Sequence, residues 1–190
     1  MAGRLKNIKA DLVLSIPRGG VVVASEIAKF LKIPMDIIVT RKIGAPNHEE
    51  LALGAVDPDG ETVWDDELMS RYASINLKNQ IEKAWKEVKR RDDLYRQGRV
   101  SVSFENKTVI VTDDGMATGA TVLSAVKYLK RHGAKVILAV PVASKEALSK
   151  VKNDCEKAVV LEAPEYFGAV AQFYGEFEPV SDEEVIQYLK

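Results

Sequence analysis

Val109-Ile-Val-Thr-Asp-Asp-Gly-Met-Ala-Thr-Gly-Ala-Thr121 is the stretch around which the rest of the chain is read. Val109 to Val111 form a short β-branched run, which predicts a strand buried on both faces. Asp113 and Asp114 stand where that strand should end, and Gly115 to Thr121 form a loop of small residues and threonines that opens into a helix. Small residues let backbone N–H groups converge on an anion at a helix N-terminus. One end of the stretch therefore offers acceptors for hydroxyls and the other offers donors for a phosphate. A sugar phosphate satisfies both. A plain turn capped by Thr118 would also collect Asp and Gly. It accounts for neither the acidic pair at a strand's carboxyl end nor Thr118-Gly-Ala-Thr121 directly after it.

Apolar strand, acidic pair and small-residue loop with Thr-Gly resemble the thirteen-residue signature of type I phosphoribosyltransferases. A nucleoside triphosphate hydrolase is a poor match, because Gly115 and Gly119 are not followed by the Lys of a P-loop.

Composition narrows the class further. The chain has 190 residues, 46% of them hydrophobic and 29% charged, which suits one soluble domain with a sizeable core. The formal net charge is −1, so no global field draws it to nucleic acid or to a membrane. Cys155, the only cysteine, cannot form an internal disulfide, which fits a reducing compartment. Met1 to Asp11 has no apolar core of signal-peptide length, and Val136 to Ala143 is too short to span a bilayer. These features lead to the expectation of a cytoplasmic protein.

A second copy of the opening arrangement lies upstream. Leu12 to Ile16 read as a strand, Pro17-Arg-Gly-Gly20 as a glycine loop, and a helix follows with Ala24, Ile27, Ala28 and Leu31 on one face. Tandem glycines free backbone amides to approach a ligand, and Arg18 adds a fixed charge. Alone this could be a turn with an exposed Arg; beside the downstream loop it becomes a second anion site. Ser15-Ile-Pro-Arg-Gly-Gly-Val21 resembles the family's pyrophosphate loop, in a form seen in one poorly characterised branch.

Met35 to Thr40 read as a third strand with Arg41 and Lys42 at its end. Gly44 to Glu50 contain glycine, proline and asparagine, which predicts a loop beginning with two cations. In the family a mobile loop between the pyrophosphate loop and the signature covers the active site, and the resemblance carries that role to Arg41 and Lys42. His48 is a weaker candidate, since a lone loop histidine is usually just exposed. Leu51 to Val56 and Glu61 to Trp64, around Asp57-Pro-Asp-Gly60, predict a hairpin. A long helix is predicted from about Ser74 to Gln97, with Leu77, Ile81, Ala84, Val88 and Tyr95 on one stripe and Gly98 closing it. Arg90, Arg91, Arg96 and Arg99 near its end read as a solvated basic face, although Arg-Arg and Tyr-Arg pairs recur in the same branch.

After the signature, Val122, Ala125, Val126 and Leu129 mark a buried helix face; Lys130, Arg131 and His132 suit its C-terminal dipole and Gly133 its cap, so His132 reads as structural. Val136 to Val140 and Ala158 to Leu161 are two further strands, with a short helix at about Lys145 to Lys152 between them. Cys155 has no neighbouring His or Cys and is assigned no chemistry. The tail crowds Tyr166, Phe167, Phe173, Tyr174 and Phe177 around Gly168 and Gly175, and Ser181-Asp-Glu-Glu184 forms a capping box. Those aromatics could fill a core, form a subunit interface or stack on an acceptor base.

The whole predicts an α/β fold: a doubly wound, mostly parallel five-stranded sheet in the order 2-1-3-4-5, with both glycine loops flanking the switch point. The expected organisation is one domain over 1–190, with an excursion of flexible loop, hairpin and helix over 41–100 and a hood-like cap over 163–190. The resemblance implies transfer of the 5-phosphoribosyl group from 5-phosphoribosyl 1-diphosphate to a nitrogen acceptor, a nucleobase, with release of pyrophosphate. It assigns Asp113 and Asp114 to the ribose hydroxyls, and Ala117, Thr118, Gly119, Ala120 and Thr121 to the 5-phosphate. Arg18, Gly19 and Gly20 take pyrophosphate; Arg41 and Lys42, with the acidic pair, are the catalytic candidates. Phe167, Phe173 and Tyr174 are the acceptor candidates. Magnesium, bound by substrate oxygens with no ligand assigned in the protein, and a homodimer are implied as well, with no nucleic acid or membrane partner. Relatives of that branch usually carry a helix before the first strand, whereas about ten residues precede Leu12, so an acceptor site that is more open or is completed by a partner subunit is expected. The alternative is a sensor of phosphoribosyl diphosphate that binds nucleic acid without turnover.

Overall fold

The computed structural model describes residues 1–46, 48–72 and 75–190, with the backbone alone at 49 and 50. In chain order the elements are β1 (Leu12–Ser15), α1 (Gly20–Leu31), β2 (Met35–Ile37), β3 (Arg41–Ala45), β4 (His48–Val56), β5 (Thr62–Trp64), α2 (Asp66–Tyr72), α3 (Lys78–Arg96), β6 (Thr108–Thr112), α4 (Ala120–Arg131), β7 (Lys135–Val142), α5 (Lys145–Val151), β8 (Lys157–Glu162) and α6 (Asp182–Tyr188). Five strands form a parallel sheet in the order β2-β1-β6-β7-β8. This is the expected order.

Alternation within the apolar runs explains why the sheet is covered on both sides. Leu12, Leu14, Val109, Val111, Val136, Leu138 and Val140 point to one face, where Val122, Val126 and Leu129 of α4 and Ala147 and Val151 of α5 close over them. Val13, Ile110, Ile137 and Ala139 point to the other, under Ala24, Ile27 and Ala28 of α1. Each fully buried Val, Leu or Ile here contributes about 1.5–3 kcal/mol. No helix among the described residues is long and apolar enough to cross a membrane.

The segment between β2 and β6 differs from expectation. Arg41 to Ala45 form a strand, not the start of a loop, and β4 begins already at His48. β3, β4 and β5 make a second, antiparallel sheet. Pairing with β4 overrides the local signal of Gly44, which instead shows as shifts in register on either side of it. Ile43 is fully buried by that pairing. The expected hairpin is β4–β5. The long helix is α3, beginning at Lys78; the expected start at Ser74 lies outside the described residues. The preceding α2 was not expected from the sequence; none of its residues is fully buried, but Leu68, Met69 and Tyr72 pack on Ala45, Leu53 and Leu77.

This excursion is fastened to the main sheet. Val88 and Tyr95 of α3 share one apolar cluster with Val21, Ile37, Val39, Ile43, Val56 and Val185. The supposed solvated arginine face is largely consumed by contacts within the chain. Arg96 makes hydrogen bonds to both carboxylate oxygens of buried Asp36, each at 3.0 Å, and also pairs with Asp92 and donates to the Ile37 carbonyl. Arg90 and Arg91 both hold Glu87, and Arg99 donates to the carbonyls of Tyr95 and Leu189. Two guanidinium groups on one carboxylate drop Glu87 to a pKa of about 2.

Candidate active site

Both glycine loops lie at the carboxyl edge of the parallel sheet, and they touch. β1 and β6 pair in register from Leu12 with Val109 to Ser15 with Thr112, so their following loops leave the sheet side by side. A methyl group on Gly19 would fall 1.9 Å from Asp114 Oδ2, and one on Gly20 would lie 3.0 Å from the Asp113 Cα. A side chain at Gly19 would displace the Asp114 carboxylate, and one at Gly20 would press on the Asp113 backbone. The close fit brings Gly19 against Asp114 and Gly20 against Asp113, while the Arg18 side chain points to Asp182 of α6. The Pro17–Arg18 peptide is cis. Ser15, at the end of β1, is fully buried and its hydroxyl has no hydrogen-bond partner among the described residues.

The acidic pair is half-buried. Burial, then the charge of Asp114, raises the Asp113 carboxyl well above its usual range; burial also raises Asp114, against hydrogen bonds from Asp113 and the Gly115 amide. The Asp114 amide donates to Asp113 Oδ1 at 2.8 Å. No ion pair neutralises either carboxylate among the described residues. The charge of Lys42 draws both pKa values down, against the effect of burial. Arg41 and Lys42 also line a groove of about 810 Å³ between β3 and the first turns of α3.

The small-residue loop is pinned from two sides. Met116 donates its amide to the Val142 carbonyl and accepts from Ser144, extending the sheet past β7. Ser144 Oγ donates to the Ala117 carbonyl at 2.7 Å and accepts from the Ala147 amide as cap of α5. Gly119, with φ of 77°, turns the chain into α4. Thr118 is exposed, and the amides of Ala117, Thr118 and Gly119 make no hydrogen bond to another described residue. Those donors face the N-terminus of a helix of 12 residues. Unbonded amides at a helix N-terminus are the kind of donors that suit an anion. On the far side, Thr40 Oγ donates to the Thr121 carbonyl at 3.1 Å.

The tail reaches this edge as well. Tyr174 donates its hydroxyl to the Asp114 carbonyl at 2.6 Å, and Val170 packs where a Gly115 side chain would stand. Burial pushes the Tyr174 phenol up to about 12. Phe167 and Phe173 stack on one another, 5.3 Å apart at 30°. His48 is an exposed residue opening β4, opposite Ala45. His132 is structural: its ring lies 4.6 Å from Tyr128 and 2.8 Å from an Asp59 oxygen. Burial lifts the Cys155 thiol to about 11, leaving no thiolate at neutral pH. Sequence reasoning missed Thr40 and Ser144, whose only signal was position beside a strand end. It also assigned Asp182 to a cap, although that residue forms an ion pair with Arg18.

The model of the phosphoribosyl transferase domain matches residues 2–177. The chain belongs to the phosphoribosyl transferase family. In Mycobacterium tuberculosis H37Rv, "Putative phosphoribosyl transferase Rv0571c" is 38% identical over 194 residues, which cover 100% of this chain and 44% of that protein. The chain thus spans less than half the length of the curated relatives it matches. Among solved structures, TT1426 from Thermus thermophilus superimposes with a TM-score of 0.81 at 38% identity, over 99% of this chain and 91% of that one. The APRTase of Giardia lamblia, solved with 9-deazaadenine, aligns at a TM-score of 0.51 and 13% identity, over 87% of this chain and 76% of that one. That likeness extends to the type I phosphoribosyl transferase fold.

Proposed function

We propose that this phosphoribosyl transferase domain moves the 5-phosphoribosyl group of 5-phosphoribosyl 1-diphosphate onto a ring nitrogen of a nucleobase and releases pyrophosphate. The observation that carries this is the packing of Gly19 against Asp114, so close that a Cβ built on Gly19 would fall 1.9 Å from Asp114 Oδ2, which sets the first glycine loop beside the acidic pair. One cradle of amides, two hydroxyl acceptors and one cationic loop then lie in the order of 5-phosphate, ribose diol and diphosphate. Asp113 and Asp114 accept from the 2- and 3-hydroxyls. Ala117 to Thr121 hold the 5-phosphate, and Arg18, Gly19 and Gly20 hold the diphosphate.

The bond from the ribose C1 to the diphosphate oxygen breaks with its electron pair going to pyrophosphate. The acceptor nitrogen supplies the pair for the new bond and loses its proton to solvent. Positive charge develops on the ring and negative charge on the leaving group, so positioning and fixed charge do the catalysis. Arg18, Arg41 and Lys42 face the growing negative charge. Tyr174 lies beside the signature loop, and with Phe167 and Phe173 it is the surface on which an acceptor base would stack.

Magnesium suits the donor set. Two carboxylates without a protein counterion offer hard oxygen donors, and the described residues hold no cluster of three or more His, Cys, Asp or Glu that would cage an ion alone. Magnesium favours that arrangement, taking substrate phosphates and waters as its other ligands. Asp113 and Asp114 would hold it, and it would supply charge to neutralise the leaving group. A homodimer is the expected assembly, checked by light scattering.

The sensing alternative needs a free basic face for nucleic acid, and Arg90, Arg91, Arg96 and Arg99 are engaged within the chain. A screen of nucleobases with magnesium and phosphoribosyl diphosphate, followed by pyrophosphate release, tests the enzyme reading. Release with one base supports it and names the acceptor. No release with any base, together with salt-sensitive nucleic-acid binding, refutes it.

A further inference from the structure

We propose that Asp182, in the first turn of α6, is a positioning residue that holds Arg18 of the diphosphate loop in its working orientation. The inference rests on the reading of residues 18–20 as the diphosphate site. Asp182 Oδ1 lies 3.6 Å from Arg18 Nη1 and accepts the Tyr95 hydroxyl at 2.7 Å. Arg18 makes no other ion pair or side-chain hydrogen bond among the described residues, and its side chain is 41% exposed. One nitrogen of its fork therefore sits in ion-pair range of a carboxylate, just beyond hydrogen-bond distance, while the rest of the fork is free for a ligand.

Asp182 is itself fixed from several directions. Ser181 and Glu184 close a reciprocal capping box around the start of α6. Val185, on the same turn, is fully buried in the cluster that contains Val21 of α1 and Tyr95 of α3. Tyr95 is fully buried, and Arg99 ties its carbonyl to that of Leu189. The last helix is thus wedged between α1, which begins at the diphosphate loop, and α3. This geometry presents one carboxylate to one arginine.

Two effects oppose each other at this contact. The carboxylate screens part of the charge of Arg18, which weakens attraction for a diphosphate. It also fixes a long, rotamer-rich side chain before the ligand arrives, which removes an ordering cost from binding. The ion pair is loose and both groups are partly exposed, so water screens its charge effect. Orientation dominates, and its loss should weaken diphosphate binding about three- to ten-fold.

The test is calorimetric titration of magnesium pyrophosphate, and separately of ribose 5-phosphate, into the wild-type chain and Asp182→Asn, Asp182→Glu, Arg18→Ala and the Arg18→Ala/Asp182→Asn double variant. Asp182→Asn keeps the shape and an acceptor for Tyr95, so α6 stays in place. The expected result is weaker pyrophosphate binding in Asp182→Asn, recovery in Asp182→Glu, unchanged ribose 5-phosphate binding, and no further loss when Asp182→Asn is added to Arg18→Ala. Pyrophosphate binding that is unchanged or tighter in Asp182→Asn overturns this inference alone. A wild-type chain that binds ribose 5-phosphate but not pyrophosphate overturns the diphosphate assignment and this inference with it.

Discussion

Replacing Gly19 by alanine probes the contact that joins the two loops. Its φ of −58° and ψ of −33° are ordinary helical values, so alanine meets no backbone strain there. Restricting the unfolded chain would by itself stabilise the protein by about 0.4–1 kcal/mol. Sterics act in the opposite direction. The new methyl would fall 1.9 Å from Asp114 Oδ2 and 2.7 Å from its Cγ, while ordinary contact begins at 3.4 Å. Either the loop or the carboxylate must therefore move by about 1.5 Å, the difference between 3.4 and 1.9 Å. Such overpacking costs about 1–3 kcal/mol. The net expectation is a loss of about 0–2.6 kcal/mol in stability. Function should suffer more, since a misplacement of about 1 Å can cost a hundred-fold in rate. Urea denaturation and titration with phosphoribosyl diphosphate would measure both, with Gly3→Ala as control because nothing lies within 4 Å of a side chain there. A Gly19→Ala protein as stable and as active as wild type would refute the contact between the loop at residues 17–20 and the acidic pair.

Other outcomes follow from the same geometry. The raised Asp113 pKa means that the folded state holds a proton the unfolded state has lost, so its stabilising effect is full below the usual carboxylate pKa and fades as pH rises through the raised one. Asp113→Asn should therefore be more stable than wild type at neutral pH and lose that part of the pH dependence, measured by urea midpoints across pH. Phosphoribosyl diphosphate affinity should run the other way in wild type, strengthening as pH rises through the same interval and the carboxylates ionise. Arg41→Ala with Lys42→Ala should lower kcat more than it raises KM, because these cations oppose charge that grows during the reaction; steady-state kinetics would show it, and equal losses would make them plain binding residues. Arg96→Ala leaves Asp36 buried without its cation and should cost about 3–5 kcal/mol, lowering the urea midpoint by more than about 1 M at a slope of about 2–3 kcal/mol/M.

The five-stranded sheet was legible because each strand carried its own signal. Val109 to Val111 and Val136 to Val140 are apolar on both faces, as only central parallel strands are. The acidic pair and both glycine loops were legible as a pair: either alone reads as a turn, but two glycine loops each following an apolar strand fall at the same sheet edge. β3 was not legible, since Arg41 and Lys42 look solvated until β4 pairs with them, and that pairing is non-local. The arginines of α3 misled in the same way. Nothing in the chain near Arg96 reveals that Asp36, 60 positions away, is its partner. Asp182 is the instructive case at the site, because its local role in a capping box was visible while its ion pair with Arg18 depends on how α6 packs between α1 and α3.

Titration of phosphoribosyl diphosphate and magnesium into the wild-type chain and into Asp113→Asn and Asp114→Asn tests the central claim most directly. Each variant replaces a charge-assisted acceptor worth about 1.5–3 kcal/mol, which is roughly ten- to a hundred-fold in affinity. The account predicts saturable binding to wild type and a loss of at least that size in both variants, with their folds retained. Absence of binding to wild type, or the same affinity in all three proteins, would contradict it.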